Sequence, residues 1–373
     1  MDKKYTFHVL HLTRSIGPTS MPWNDLYYYQ MQTVPEIMLA PLAVTSILGR
    51  LKENESPCRG TIRNHYQAGL FSSLRHIGKL YRKLNKNNQK LILHIHNPVL
   101  AVIAIIARII FPGIVIIGNL HTDWRFLRPH QRFLLGKLAI RSNRFITVSK
   151  AIVQTIPKEV LKKLEQSNRL VSIPNGIDSE VLGSKDSSKL NKREPGTAIV
   201  VARIVPAKNA SYVLDILEST PSIKKLIWLG GGPLMESFQN EIQQRKLEGR
   251  IELRGQCTRQ DVFNVLKSVE IYISASLWEG IGVANMEAAA LGAYPFLSGI
   301  PAHKEIADNL GFEIYPLEDV KEWSLGIEAF LKLPDNEKEK RRVSLKEKTL
   351  ITYDIRKRVD QYIEVYKDAV NGK

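Results

Sequence analysis

Short apolar runs alternate with longer helical patterns along this chain, and that alternation constrains the fold more than any other feature. Phe7–Leu12, Leu91–His96, Ile114–Leu120, Phe145–Val148 and Leu170–Ile173 have strand length, and patterns such as Val99–Phe111 separate them. A parallel neighbour needs a crossover, normally a helix, so this order predicts a parallel sheet covered by helices. The pattern breaks at residues 184–196, which are polar, charged and aperiodic, and then restarts with Ala198–Val201, Leu226–Leu229, Ile251–Leu253 and Ile271–Ile273. At roughly 150 residues per domain, a chain of 373 residues also suggests two domains. The expectation is an α/β protein with two tandem doubly wound, Rossmann-like domains, residues 1–183 and 197–350, joined by a linker over 184–196. Ligands of open α/β sheets bind beyond the carboxyl ends of the strands, so two such domains are expected to face a cleft. Val359, Tyr362, Ile363, Tyr366 and Val370 recur at helical spacing. They predict a C-terminal helix within 351–373, expected to cross back to the N-terminal domain.

The charge is unevenly divided. The net charge is +16. Residues 1–190 hold 27 Lys/Arg against 11 Asp/Glu, whereas residues 191–373 hold 26 of each. From Ser56 through Thr122 no acidic residue occurs. A uniformly basic nucleic-acid binder is a poor description of such a chain; one basic domain facing an anionic partner fits it. The two cysteines, Cys58 and Cys257, indicate neither a disulfide framework nor a cysteine-based zinc site, and the expected compartment is the reducing cytoplasm. Leu91–Ala107 is the most membrane-like stretch, but His94, His96, Asn97 and Pro98 divide it, and a span needs roughly 20 mostly apolar residues.

Ile62, Tyr66, Leu70, Leu74, Ile77, Tyr81 and Leu84 fall three or four apart, with Arg63, Arg75, Lys79, Arg82 and Lys83 at other positions. Two readings stand side by side. A basic amphipathic helix can lie on an anionic membrane; an ordinary covering helix packs its stripe on its own sheet and leaves a solvated basic rim.

The densest chemistry follows the Ile271–Ile273 strand, in Trp278-Glu279-Gly280-Ile281-Gly282 and the alanine-rich helix pattern Val283–Leu291. Glycines let backbone N–H groups approach a ligand, and a helix N-terminus behind them favours a diphosphate. Glu279 and Glu287 offer carboxylates to pairs of hydroxyls. A nucleotide sugar has that anatomy. Spacing alone fits equally a strand–turn–helix with a capping carboxylate and a surface glutamate. No P-loop, His-Glu-x-x-His or Gly-x-Ser-x-Gly occurs, which removes the usual signatures of P-loop ATPases, zinc proteases and esterases.

These residues resemble the signature of retaining glycosyltransferases of the GT-B fold, family 4 (glycosyl transferases group 1). The family shows Glu-Gly-Phe-Gly and Leu-Glu-Ala-Met-Ala-x-Gly; here Ile281 replaces the Phe and Ala289 the Met. Ala202-Arg203 to Lys208-Asn209 looks like its Gly-Arg…Lys-Gly element with both glycines replaced. Leu229-Gly230-Gly231-Gly232-Pro233 looks like its glycine loop, and Pro174-Asn175-Gly176-Ile177-Asp178 like its interdomain element. The resemblance implies that Arg203 and Lys208 clamp the donor diphosphate, with Gly231 in the glycine loop. It further implies that Glu279 and the Gly280–Ile281–Gly282 backbone hold the sugar and phosphate, and that Glu287 holds the ribose. No metal is implied, because fixed cations and the helix dipole supply the positive charge. His121 ends the Ile114–Leu120 strand, where the family often has a His near the reacting sugar; a capping or merely polar His is the other reading. Gly17 lies where members often carry Gly-Gly. His94 and His96 share one strand face, but make an improbable metal pair without a third ligand.

The leading expectation is a metal-independent, cytoplasmic retaining hexosyltransferase, peripheral on the inner face of the cell membrane. It would move a hexose from a UDP- or GDP-sugar to a hydroxyl of a lipid-linked or cell-surface glycan, with no nucleic-acid partner. Another sugar-nucleotide enzyme of this fold, such as an epimerase, and a non-catalytic basic nucleic-acid- or membrane-binding protein are the alternatives.

Overall fold

A computed structural model describes residues 7–12, 37–40, 70–182 and 193–372. Gly17, Arg63, Cys58 and the first part of the expected Ile62–Leu84 helix lie outside them. The chain divides into two compact units: unit 1 holds residues 1–176 and 355–373, and unit 2 holds 177–354. The chain therefore changes unit at Gly176–Ile177, ahead of the boundary expected at residue 183.

Unit 1 contains β1 (Phe7–Leu12), β2 (Ile37–Ala40), β3 (Lys90–Ile95), β4 (Val115–Leu120), β5 (Arg144–Thr147) and β6 (Leu170–Ser172). They form one sheet in the order β2-β1-β3-β4-β5-β6, every pair parallel. The order reverses direction at β1 and β3, which makes their carboxyl ends the switch point. The β3–β4 connection is a short 3-10 turn, Pro98–Leu100, followed by the helix Ala101–Ile110. Asn97 starts that turn by accepting the Val99 N–H at 3.0 Å. The single helix expected from Val99 onward is thus split, its first turn being 3-10 and its remainder α.

The C-terminal helix Ile355–Asn371 belongs to unit 1 and covers the sheet face formed by Phe7, Val9, Ile92, Val115, Ile117 and Ile146. Its buried stripe includes Val359, Tyr362, Ile363 and Tyr366, four of the residues that the 3.6-residue period singled out. The other face packs against the helices Leu70–Lys86, Ala101–Ile110 and Pro129–Arg141. In the first of these, Ile77 and Leu84 are buried and Leu74 and Tyr81 pack on the same core, while Arg75, Lys79, Arg82 and Lys83 are exposed. The described part of the apolar stripe is consumed by its own sheet. Over residues 70–86 the stripe thus packs as a covering helix does, and the basic rim is exposed.

Unit 2 contains β7 (Glu194–Val201), β8 (Lys225–Leu229), β9 (Ile251–Gly255), β10 (Val269–Ser274), β11 (Tyr294–Ser298) and β12 (Ile314–Tyr315). Its order, β12-β11-β10-β7-β8-β9, is again wholly parallel. Relabelled from its own first strand this is 3-2-1-4-5-6, with the switch point between β7 and β10. β7 begins at Glu194, so the last residues of the expected linker are strand: Glu194 N donates to the Ser268 carbonyl, and Gly196 N to buried Glu270 at 2.7 Å. Glu270 also takes Lys338 at 2.9 Å and Arg342 at 3.2 Å. Tertiary partners override a polar sequence here.

Because Ile363 is 4% exposed in the core between the C-terminal helix and the unit 1 sheet, Ile363→Ala is expected to cost about 2–5 kcal/mol. Urea denaturation monitored by circular dichroism measures it, and a loss below 0.5 kcal/mol would mean that this helix is not part of the core.

Candidate functional site

The unit 2 residues singled out in the sequence converge at the carboxyl ends of β7, β8 and β10. Arg203 lies in the loop just after β7; Lys208 closes the 3-10 turn Pro206–Lys208. Asn209 follows in the left-handed region, at φ 51° and ψ 53°. The resembling family has glycine there, and asparagine is the usual residue able to replace it. Leu277 N donates to the Ala207 carbonyl at 2.9 Å, which ties the loop after β10 to the loop after β7.

That tie brings two charges together. Lys208 Nζ lies 2.8 Å from Glu279 Oε1, and Ser276 Oγ donates to the same oxygen at 2.8 Å. His303 Nε2 stands 3.6 Å from it, on a ring held through Nδ1 by the Ser298 carbonyl at 3.0 Å. Burial alone would raise the Glu279 pKa, but the Lys208 charge and His303 outweigh it and hold the carboxyl well below the usual carboxylate range. His303 is wholly buried and was not identified from sequence. Its one signal was position, five residues beyond the carboxyl end of β11.

Glu287 projects from the helix Val283–Ala290 and takes Arg259 Nη2 at 2.8 Å, with Arg259 also 5.1 Å from the Phe263 ring centre. Gly282 starts this helix at φ 81°, and an added Cβ would stand 2.3 Å from Asn285 Nδ2. The Ile281 side chain is 2% exposed and packed in the unit 2 core, so only its backbone is available to a ligand. In the glycine loop, Cβ atoms at Gly230 and Gly232 would meet the Ala202 and Ile204 carbonyls at 2.1 and 2.2 Å. Gly231 has nothing nearer than 4.0 Å. The outer two glycines thus serve close backbone packing, and the middle one faces open space. Arg203 is exposed, and its guanidinium has no ion pair among the described residues.

In unit 1, His121 follows β4 and is half-buried, with Nε2 3.0 Å from His96 Nδ1. Burial lowers its pKa to about 4, so it is neutral at physiological pH. Burial, and then the neighbouring histidines, likewise hold His94 and His96 well below the usual value. Nearby Asp123 accepts the Arg125 N–H at 2.8 Å and pairs with its guanidinium at 2.6 Å, a capping role that occupies both oxygens. No helix among the described residues is long and apolar enough to cross a membrane.

Two parallel six-stranded sheets, each with loops gathered at a switch point, define the GT-B class of glycosyltransferase fold. Residues 184–349 match the model of Glycosyl transferases group 1, and residues 49–181 match that of Glycosyltransferase Family 4. The chain belongs to the group 1 glycosyltransferases of the GT-B fold. The GPI3 subunit of phosphatidylinositol N-acetylglucosaminyltransferase from Saccharomyces cerevisiae is 30% identical over 175 residues, covering 45% of this chain and 38% of the yeast protein. The Escherichia coli UDP-Gal:alpha-D-GlcNAc-diphosphoundecaprenol alpha-1,3-galactosyltransferase is 29% identical, over 54% of each chain. This chain therefore spans between about two fifths and half of those relatives. Among solved structures, Anabaena HepE in complex with UDP and glucose aligns with a TM-score of 0.73 at 14% identity, covering 97% of this chain and 100% of HepE. A Rickettsia africae glycosyltransferase aligns at 0.74, again with 14% identity, covering 98% and 99%.

The Lys208–Glu279 pair has a pH signature. A carboxyl whose folded pKa is depressed contributes stability above its ordinary pKa, and that contribution fades as pH falls toward the folded value. Lys208→Met is expected to cost roughly 2 kcal/mol at pH 7, below the value for a fully buried pair because Lys208 is 24% exposed. The gap should narrow as pH falls below the ordinary carboxylate range. Denaturant titrations at both ends of that range test it, and a pH-independent gap would assign the loss to packing.

Proposed function

We propose that this chain transfers a hexose, with retention at the anomeric carbon, from a UDP- or GDP-sugar to a hydroxyl of a lipid-linked or cell-surface glycan. The observation that carries this reading is the Lys208–Glu279 pair, held at the carboxyl ends of β7 and β10 beside Gly231 and the Gly282 helix start. Lys208 is a cation fixed before any donor arrives, and exposed Arg203 is a second. As the bond from the anomeric carbon to the phosphate breaks, negative charge grows on the leaving nucleoside diphosphate, and preorganised cations stabilise it. The acceptor oxygen attacks from the same face and gives its proton to the departing phosphate oxygen. Glu279, ionised, accepts from sugar hydroxyls, and Glu287 from the ribose, with Arg259 keeping that carboxylate in place. Neutral His121 hydrogen-bonds a hydroxyl of the transferred sugar. Lys208, Arg203 and the helix dipole supply the positive charge, so transfer needs no metal.

Two of the relatives support the acceptor class. The names of the E. coli galactosyltransferase and of a Xanthomonas campestris mannosyltransferase, 24% identical over 218 residues, both specify polyprenol diphosphate glycans. Exposed Arg75, Lys79, Arg82 and Lys83 supply a cationic face suited to the anionic inner face of the cell membrane where such acceptors lie, each cation worth roughly 1 kcal/mol near the surface. This contact is electrostatic, because Leu74, Ile77, Tyr81 and Leu84 beneath it pack on unit 1.

Glu279→Gln and Lys208→Ala are each expected to lower transfer from the preferred nucleotide sugar at least about 100-fold while leaving the circular dichroism spectrum unchanged. Wild-type rates in either variant would refute these roles. A thermal-shift screen with UDP, GDP and their sugars identifies the base, and no shift with any of them would favour a non-catalytic binder. For the surface, Arg82→Glu with Lys83→Glu should weaken co-sedimentation with anionic vesicles about tenfold or more and leave neutral vesicles unaffected. Equal binding of the wild type to both vesicle types would remove the electrostatic contact.

A further inference from the structure

Three histidines meet at the unit 1 switch point. His11 lies on β1, and the parallel register pairs it directly with His94 on β3. His96 follows His94 by two positions and shares its face. Ring centres stand 4.1 Å apart for His94–His96, 4.9 Å for His11–His94 and 5.2 Å for His11–His96. One nitrogen from each lies within 4.8 Å of the other two. From sequence, His94 and His96 lacked a third ligand; the fold delivers it from 85 positions away.

His94 gives the cluster its direction. It is wholly buried, with Nδ1 2.9 Å from the Tyr366 hydroxyl. Its Nε2 is also buried and has no hydrogen-bond partner among the described residues. An unmade hydrogen bond of this kind costs about 1–3 kcal/mol, so it calls for a partner. With Nδ1–H donating to Tyr366, Nε2 carries a bare lone pair. Metal-bound histidines are held in this way, one nitrogen fixed by an outer group and the other on the ion.

We propose that His11, His94 and His96 form a binding site for a divalent transition-metal ion of the zinc type, with a fourth position left to water beside the half-buried His96. Three imidazoles suit zinc, cobalt, nickel or copper, whereas calcium and magnesium want oxygen ligands. At Zn–N distances of about 2.0–2.1 Å, tetrahedral ligand nitrogens stand roughly 3.3 Å apart. His11 Nδ1 and His96 Nε2 are 2.9 Å apart, so the ion requires them to open by a few tenths of an ångström while His94 closes in. It takes the place of the proton shared in that contact, which moves to the far nitrogen of its own ring. His96 then donates its Nδ1–H to His121 Nε2, 3.0 Å away. The ion links β1, β3 and, through Tyr366, the C-terminal helix, and it fixes the ring on which His121 rests. None of this depends on sugar transfer.

The test uses the full chain without an affinity tag, stripped of metal and titrated with Co²⁺ and then Zn²⁺. One Co²⁺ per chain is expected, with the visible ligand-field bands of a four-coordinate nitrogen site, erased by one equivalent of Zn²⁺. His96→Ala removes a half-buried ring and should abolish the bands and weaken Zn²⁺ binding at least about 100-fold. His94→Ala should do the same; Tyr366→Phe should weaken binding about tenfold or more while keeping the band shape. His130→Ala, at an exposed position, is expected to change nothing. Circular dichroism on each variant separates loss of a ligand from loss of the fold. Absence of stoichiometric uptake by the wild type, or uptake that His96→Ala leaves unchanged, overturns the proposal.

Discussion

Every pairing in both sheets is parallel, and the site depends on that one constraint. Parallel strands all point the same way, so each sheet gathers its strand carboxyl ends on a single edge, and crossovers must return along the faces. At the switch point the crossovers on either side diverge, and the loops there are left uncovered by helices. In unit 2 this places the loops after β7, β8 and β10 side by side. In unit 1 it places His11, His96 and His121 on one edge, at or just beyond the ends of β1, β3 and β4. These side chains come from distant sequence positions because the topology, not the local chain, brings them together.

Electrostatics then sorts those side chains. Glu279 is largely removed from water, which by itself disfavours its charge; Lys208 and His303 reverse that. An ionised carboxylate and a fixed ammonium at one edge form a polar site that needs little reorganisation when a charged ligand arrives. Deeper in unit 2, Glu270 with Lys338 and Arg342 repeats the theme at the opposite end of β10, where it secures the start of β7. The chain's excess positive charge does not enter either arrangement. It lies on unit 1, with part of it on the exposed face of the helix Leu70–Lys86, whose apolar face is already buried.

Much of the fold was legible because its signals are local. Strand-length apolar runs located most strands, and the 3.6-residue period located the C-terminal helix down to Val359, Tyr362, Ile363 and Tyr366. The strands β2, β11 and β12 were not read: β11 carries Pro295, which demotes a strand pattern, and β12 has only two residues. β7 started earlier than expected because its first residues are polar and are held by tertiary partners. Ile281 was expected to offer its backbone to a ligand, and its side chain lies in the core. A motif reports backbone position more faithfully than side-chain direction.

By itself, the sequence determined two parallel α/β units, the family, the separation of charge between halves and the identity of the Lys208, Glu279 and Glu287 groups. Periodicity, turn residues and short motifs are properties of neighbouring residues, so a linear reading can recover them. Only the tertiary structure decided which groups touch: Lys208 with Glu279, Arg259 with Glu287, and His303 behind the first pair. It also decided that Leu74, Ile77, Tyr81 and Leu84 of the basic helix face the core, and that His11 completes a cluster with His94 and His96. Those outcomes follow from strand register and packing between distant segments, and no spacing along the chain encodes them.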